Sequence, residues 1–307
     1  MGLGLMIVCA VCNHKGGTGK TTTTIHLAAA LGLSGHNVLV LDLDPQGFLS
    51  RTLDVPEPDP ASSVVSFFDP EMSADQIAPV EVSGFDLIPS SSTLTKRMRR
   101  LNKPTDVLWM RENLDQLGRD YDVVLFDTAA AVTVYSLNAL VASQHVVIPV
   151  LPEYQGVVGA EQTFQTADLV RRKLNPDLRT RLFLLTQVDA RKRIHHTYQK
   201  YLREKYGDYV MDGVVRTSTS LAEAHEEGST VFDHDSGARG ARDYANATDE
   251  LIQRIRAADP SGDGAGSAED SAPEAPSPDP SADVDNGRPV SPTPTPEQAV
   301  NSHRTGS

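Results

Sequence analysis

Cysteine is nearly absent: the 307 residues hold only Cys9 and Cys12, beside a single tryptophan. Two thiols cannot build the disulfide framework of a small secreted domain, and their scarcity fits a reducing cytosol. Their C-x-x-C spacing invites a metal or redox reading. Both, however, lie in one apolar run, and strand positions three apart face opposite sides, so the expectation is packing. Also missing is any run of about 18 apolar residues, so no membrane-spanning helix is expected. No basic segment precedes the short apolar run at the start, so a secretion signal is not expected. Repeats at solenoid or propeller periods are absent too.

Cations are outnumbered. Lys and Arg total 28 against 41 Asp and Glu, a formal net charge of −13. The last 50 residues carry nine acids against two bases and account for more than half of that excess. Net charge therefore does not exclude a basic patch on the remainder. Residues 258–307 are dominated by Ser, Pro, Asp, Gly and Ala, with Val284, Val290 and Val300 as their only large aliphatics. Such a segment cannot offset its ordering entropy by burial, so we read it as a disordered acidic tail behind a folded domain at residues 1–257.

Within that domain, short apolar runs recur at Leu5–Val11, Val38–Leu43, Val123–Phe126, Val146–Val150 and Leu182–Leu185. Runs of this length, bounded by polar turns and separated by helical segments, predict a doubly wound α/β fold. Its sheet is mostly parallel, with helices on both faces. Lys20–Ser34 reads as a helix with Ile25, Leu27, Ala28 and Leu31 inward and Gly35 just past its end. Ser220-Leu221-Ala222-Glu223 matches a capping box, and a last helix is expected over Arg239–Ala257 with Tyr244, Leu251 and Ile255 inward. The segment Val55–Phe85 shows no legible pattern.

The chemistry sits where the first strand meets the first helix. Lys15-Gly16-Gly17-Thr18-Gly19-Lys20-Thr21-Thr22 ends as a phosphate-binding loop ends, in Gly-Lys-Thr, but His14 occupies the position of the usual first glycine. A second lysine, Lys15, stands at the entrance instead. Glycines let backbone N–H groups close on phosphate oxygens, Lys20 adds a cation for the β- and γ-phosphates, and Thr21 can ligate Mg²⁺. Thr22 adds a donor at the positive end of the helix. Two further runs end in acids, at Asp42 and Asp44 and at Asp127. In a doubly wound sheet those strand ends share the crevice of the phosphate loop, where an acid can hold Mg²⁺ through water or orient an attacking water.

These residues resemble the ParA/MinD superfamily of deviant Walker A P-loop ATPases, and within it the ParA (Soj-like) DNA-partition branch. The carrying motifs are NHKGGTGKTTT at Asn13–Thr23, LDLDPQG at Leu41–Gly47, VLFDTAA at Val124–Ala130, NALVASQHVVIPVLPEY at Asn138–Tyr154, VDAR at Val188–Arg191 and VFDHDSGARGARDY at Val231–Tyr244. The resemblance implies that Lys15 is the signature lysine, reaching nucleotide phosphate across an ATP-sandwiched homodimer. It makes Lys20 the loop lysine, Thr21 the Mg²⁺ ligand, Asp44 the residue that positions the hydrolytic water, and Asp127 the acid acting on Mg²⁺ through water. ATP and Mg²⁺ are the implied cofactors. Two departures stand out. The family has Gln where His14 stands, and Pro-Pro where this chain has Ala129-Ala130; alanines leave that loop looser and bear on hydrolysis rather than on binding.

The same resemblance implies a cytoplasmic, nucleoid-associated protein that binds DNA non-specifically as an ATP dimer. Release follows when a ParB-like centromere-binding protein stimulates hydrolysis. Candidate DNA contacts are Arg191, Lys192, Arg193, Lys200 and Arg203, with Lys96-Arg97-Met98-Arg99-Arg100 as a second basic run. A helix-turn-helix module ahead of the first strand is not expected. Two alternatives stand beside this: a MinD-like positioning ATPase, whose membrane-binding basic amphipathic C-terminal helix residues 258–307 do not resemble, and an ATP-locked scaffold with weak turnover, suggested by Ala129-Ala130. Thr186-Gln187-Val188-Asp189 distantly resembles the guanine-reading N-K-x-D motif, but its first two positions differ, so ATP is retained.

Overall fold

The computed structural model describes residues 6–74, 77–114, 117 and 121–258. The acidic tail expected from residue 258 onward lies outside them, apart from residue 258 itself, which ends the last helix.

Eight strands form one sheet: β1 (Ile7–Val11), β2 (Val38–Asp42), β3 (Val80–Val82), β4 (Phe85–Ile88), β5 (Val123–Asp127), β6 (His145–Val150), β7 (Thr180–Val188) and β8 (Val210–Arg216). Their order is β3-β4-β2-β5-β1-β6-β7-β8. All neighbours pair in parallel except the antiparallel edge strand β3. The chain moves outward from β1 to β2, returns to insert β5 beside β1, then departs in the other direction through β6. The order reverses at β1, and a crevice opens beyond the carboxyl end of the strand where this happens.

Side chains of β1 alternate between two cores. Ile7, Cys9 and Val11 face helices α1 (Lys20–Leu33) and α10 (Arg239–Ala258), contributing to a layer with Ile25, Leu27, Tyr244 and Leu251. Val8, Ala10 and Cys12 face the opposite layer, which holds Tyr135 and Leu140 of α5 (Val134–Ala142), Val157 and Phe164 of α6 (Tyr154–Lys173), and Leu202 of α7 (Arg193–Tyr206). Burial on both faces is why these strands read as unbroken apolar runs. Cys9 and Cys12 fall on opposite sides as expected, and burial pushes both thiols up to about 12, so they are inert packing groups.

Helix α1 ends in a Schellman motif. Gly35 adopts φ 85°, its N–H donates to Gly32 O at 2.9 Å, and the His36 N–H donates to Leu31 O at 3.2 Å. The capping box expected at Ser220 does not form. Helix α8 (Thr219–Glu226) begins earlier, after Ser218 with extended backbone (φ −141°, ψ 132°) and no side-chain cap bond. Three strands were not foreseen: β3 is exposed at the edge, β4 follows a turn, and Asp212 and Gly213 interrupt β8. Among its described residues, the unreadable segment contains the 3-10 turns Pro60–Ser62 and Val64–Phe68 and ends in β3 and the start of β4. The second of these turns buries Phe67 and Phe68 completely.

Candidate nucleotide site

Gly19 caps α1 in the left-handed conformation (φ 83°, ψ 26°), with no side-chain cap bond, and among the described residues no side chain accepts from the first-turn N–H groups. Those N–H groups have no partners within the helix and lie at its positive end, so the turn is open to an anion. Gly17 is also left-handed at φ 76°. The loop is held from several sides. Asn13 Nδ2 donates to Pro149 O (2.7 Å), and Asn13 Oδ1 accepts the Lys15 N–H (2.9 Å). The His14 N–H donates to Thr163 Oγ1 (2.9 Å), Thr186 Oγ1 to Thr18 O (2.8 Å), and Gln187 Nε2 to Gly17 O (2.8 Å). Thr186 and Gln187, which resemble part of a guanine motif in sequence, thus clamp the loop from the end of β7.

Lys20 is 8% exposed, and its Nζ donates to Lys15 O at 3.3 Å. Burial lowers its pKa, and Asp127 opposes that shift. Lys15, by contrast, is exposed, and its ammonium has no partner among the described residues. Asp127 ends β5 fully buried, accepting from Thr21 Oγ1 at 2.8 Å and from Thr24 Oγ1 at 3.2 Å. Burial, with Asp42 adding repulsion, raises its pKa to about 8. A carboxyl disfavoured as an anion, bonded to a threonine hydroxyl at a helix start, is a hard-oxygen pair that a divalent cation fits. Among the described residues no group of three or more His, Cys, Asp or Glu could form a protein-only metal cage. Mg²⁺ beside phosphate needs only one or two protein ligands.

The two acids closing β2 separate in role. Asp42 is fully buried and accepts from the Ser50 N–H (3.0 Å), Ser50 Oγ (2.7 Å) and the Asp44 N–H (3.2 Å), which commits it to holding the following turn and α2 (Phe48–Thr52). Asp44 is only half-buried. Its Oδ1 accepts the Gln46 N–H (2.9 Å), its carbonyl accepts from Ser90 Oγ (2.6 Å), and Oδ2 has no partner among the described residues. Ser90 was not singled out from the sequence; nothing near it signals a role before the β4 end is brought beside β2.

A groove of about 370 Å³ adjoins the loop. Gly17, Gly19 and Thr22 form one wall, and Gln187, Thr217, Leu221, His225 and Tyr244 the other. The residues of that second wall come from β7, the position just after β8, α8 and α10, and no local motif links them. Gly159 of α6 was also missed. A Cβ there would meet Lys15 Cβ at 2.6 Å and Asn13 Oδ1 at 3.0 Å, so only glycine lets α6 pass this close to the loop.

The basic candidates lie on and before α7, away from these bonds. Arg191 forms a two-pronged pair with Asp189 (Nε to Oδ1 3.0 Å, Nη2 to Oδ2 2.9 Å). Lys192 pairs with Glu153 (3.1 Å), Lys200 with Glu204 (3.6 Å) and Arg203 with Asp212 (3.4 Å), while Arg193 has no partner among the described residues.

A sequence-family profile for the AAA domain matches residues 6–180. The chromosome-partitioning ATPase Soj of Thermus thermophilus is 36% identical over 250 residues, 81% of this chain and 96% of that protein. The sporulation initiation inhibitor protein Soj of Bacillus subtilis is 31% identical over 246 residues, 80% of this chain and 97% of that one. Among solved structures, cobyrinic acid a,c-diamide synthase from Mycobacterium smegmatis with bound ADP and magnesium superposes with a TM-score of 0.70 at 27% identity. The match covers 82% of this chain and 96% of that one. A phosphate loop on a reversing parallel sheet, matched over most of its length to the Soj proteins, is accounted for in one way: the chain belongs to the ParA/MinD superfamily of deviant Walker A ATPases.

Proposed function

We propose that this ATPase is a DNA-partition protein that binds ATP with Mg²⁺, pairs as an ATP-bridged homodimer on DNA without sequence preference, and leaves DNA when a ParB-like partner stimulates hydrolysis. The observation carrying the nucleotide part is the Thr21–Asp127 hydrogen bond at 2.8 Å, which joins the start of α1 to the end of β5 beside buried Lys20. The partition part rests on the Soj relatives, and nucleoid association follows from it.

In this reading the first-turn N–H groups of α1, with Gly16, Gly17, Thr18 and Gly19, cradle the phosphates, and Lys20 faces the β- and γ-oxygens. Thr21 would hold Mg²⁺ directly and Asp127 through water; when bound, the cation offsets charge on the transferring phosphoryl group. Asp44 orients the attacking water with its unoccupied Oδ2. Lys15, exposed and unpartnered, reaches the nucleotide of a second copy. The groove facing Thr22 takes the adenine, with Tyr244 and Leu221 as apolar walls. Ala129-Ala130 leaves the loop after β5 without fixed φ, so turnover by the isolated chain is slow.

Calorimetry and phosphate release test this. ATP with Mg²⁺ should give a binding isotherm that Lys20→Ala abolishes. ATP should become ADP and phosphate faster with DNA and the cognate partner together, and Asp44→Ala should remove that acceleration while keeping binding. Turnover equal to that of Asp44→Ala under all conditions would instead support the ATP-locked scaffold. A Lys20→Ala chain that still binds would remove the basis of the whole reading.

A further inference from the structure

Helix α6 meets the phosphate loop on one side and α7 on the other. On the loop side, Thr163 Oγ1 accepts the His14 N–H (2.9 Å), and Gly159 lies so near that an added Cβ would come within 2.6 Å of Lys15 Cβ. A Cβ at Gly156 would likewise collide with the Leu151 carbonyl. Contacts that admit only glycine leave no slack, so a displacement of the start of α6 is passed to the loop. A cavity of about 230 Å³ between them has Lys15, Gly16 and Thr18 on one wall, with Leu151 and residues 153–156 on the other.

On the α7 side, Glu153 stands just before α6, but its side chain does not cap the helix. Its Oε1 instead accepts from His195 Nε2 at 3.2 Å and from Lys192 Nζ at 3.1 Å. These bonds, that from His195 first, hold the Glu153 carboxyl below the usual carboxylate range. His195 is fully buried, and its Nδ1 accepts the Asp189 N–H at 3.1 Å. With Nδ1 accepting, the ring proton lies on Nε2, the nitrogen that meets Glu153. One imidazole thus ties the turn at residues 189–192 to the start of α6. Further along both helices, Glu161 Oε1 accepts from Tyr201 Oη and Lys205 Nζ, both at 2.8 Å.

The two bonds to Glu153 respond differently to a competing anion. Lys192 and Glu153 are each about half exposed, and an ion pair of that kind opens at little cost. His195 has no such freedom. Either ring nitrogen parted from its partner would be a buried orphan, so the turn and the start of α6 move together. A nucleic-acid phosphate that draws Lys192 away therefore acts on α6 through His195, and α6 acts on Lys15.

We propose that His195 and Glu153 are positioning residues that couple the basic segment after β7 to the phosphate loop, so that DNA bound at residues 191–193 changes the placement of Lys15. The proposal rests on the reading of the chain as a DNA-binding ATPase and concerns how its two sites communicate.

Hydrogen–deuterium exchange tests it on the full-length chain, held with Mg²⁺ and a non-hydrolysable ATP analogue, with and without random-sequence duplex DNA. In the wild type, DNA should slow exchange in peptides spanning residues 189–206 and change it about fivefold in those spanning 13–19 and 153–159. His195→Asn keeps an acceptor for the Asp189 N–H but is too short to reach Glu153. There the first response should persist, while the second falls below about twofold. Glu153→Ala, at a half-exposed position, should do the same, and Glu153→Gln, which keeps an acceptor for His195 Nε2–H, should restore the wild-type response. Unaltered exchange in peptides from β5 and β6 reports an intact fold. The coupling is overturned if the loop still responds in both His195→Asn and Glu153→Ala, if Glu153→Gln behaves as Glu153→Ala does, or if DNA protects residues 189–206 of the wild type without any change at the loop. Absence of protection at residues 189–206 with every nucleotide is a different failure, since it removes the DNA-binding reading and the coupling with it.

Discussion

Asp42 and Asp127 lie in register on neighbouring strands, both fully buried, with burial pushing the first up to about 6 and the second to about 8. Two carboxyls so placed destabilise the nucleotide-free chain, and a divalent cation would relieve them. Asp127→Asn should therefore raise the melting temperature of the nucleotide-free protein, by the equivalent of ~1–3 kcal/mol. It should also erase the additional stabilisation by ATP with Mg²⁺ that linked binding gives the wild type. Thermal melts with and without nucleotide read both; unchanged stabilisation by Mg–ATP would remove Asp127 from the metal site. His26 makes a second residue-scale test. Its Nδ1–H donates to Thr22 O (2.7 Å), its Nε2 accepts the Val231 N–H (3.1 Å), and burial lowers its pKa to about 3. The unfolded chain takes up a proton below about 6.5 and the folded chain does not, so this residue's contribution to stability is lost as pH falls through that range. Ring nitrogen shifts followed from pH 8 to 5 should show at least one histidine that does not titrate, and titration of all nine would contradict the burial argument.

Among the elements, α6 and α1 decide how well the phosphate loop is shaped. Gly159→Ala inserts a methyl group against Lys15 and Asn13, whereas α6 itself would gain helix propensity of about 1 kcal/mol. The expected outcome is an intact fold with Mg–ATP affinity reduced about tenfold, since a small displacement of positioning groups is costly. Circular dichroism with calorimetry distinguishes this from general destabilisation. Gly32 is constrained in a different way: a Cβ there would collide with the backbone carbonyl of Gly84, so α1 packs directly on the turn between β3 and β4. Elements with strong periodicity or continuous apolar runs were legible: β1, β2, β5, β6, β7, α1 and α10. β8 was not, because Asp212 and Gly213 break its pattern, and it is held by α10 instead. There the Asp212 and Gly213 N–H groups donate to Glu250 at 2.8 and 2.7 Å. The capping box at Ser220 failed for the opposite reason. The local pattern is there, but the helix begins at Thr219 behind Ser218, so Ser220 lies inside the first turn instead of capping it.

For the whole molecule, the domain assigned to residues 1–257 should function without the acidic C-terminal segment. A chain ending at residue 258 should keep its melting temperature within about 2 °C and its Mg–ATP affinity, since every residue named at the nucleotide site precedes that point. Loss of nucleotide binding in differential scanning fluorimetry with ATP would show that the division is wrong. The sequence by itself determined the sheet class, the phosphate loop and the acids at its rim. Continuous apolar runs, glycines and strand-end carboxylates are local signals whose meaning survives without coordinates. Only the tertiary structure decided which acid is buried scaffolding and which faces solvent, which residues wall the groove beside Thr22, and which cations are already neutralised. Each of those depends on pairings between residues tens to hundreds of positions apart, such as Ser90 with Asp44, Gln187 with Gly17 or Lys205 with Glu161. Such partners meet only when the sheet brings separate strand ends, and the helices packed on it, together.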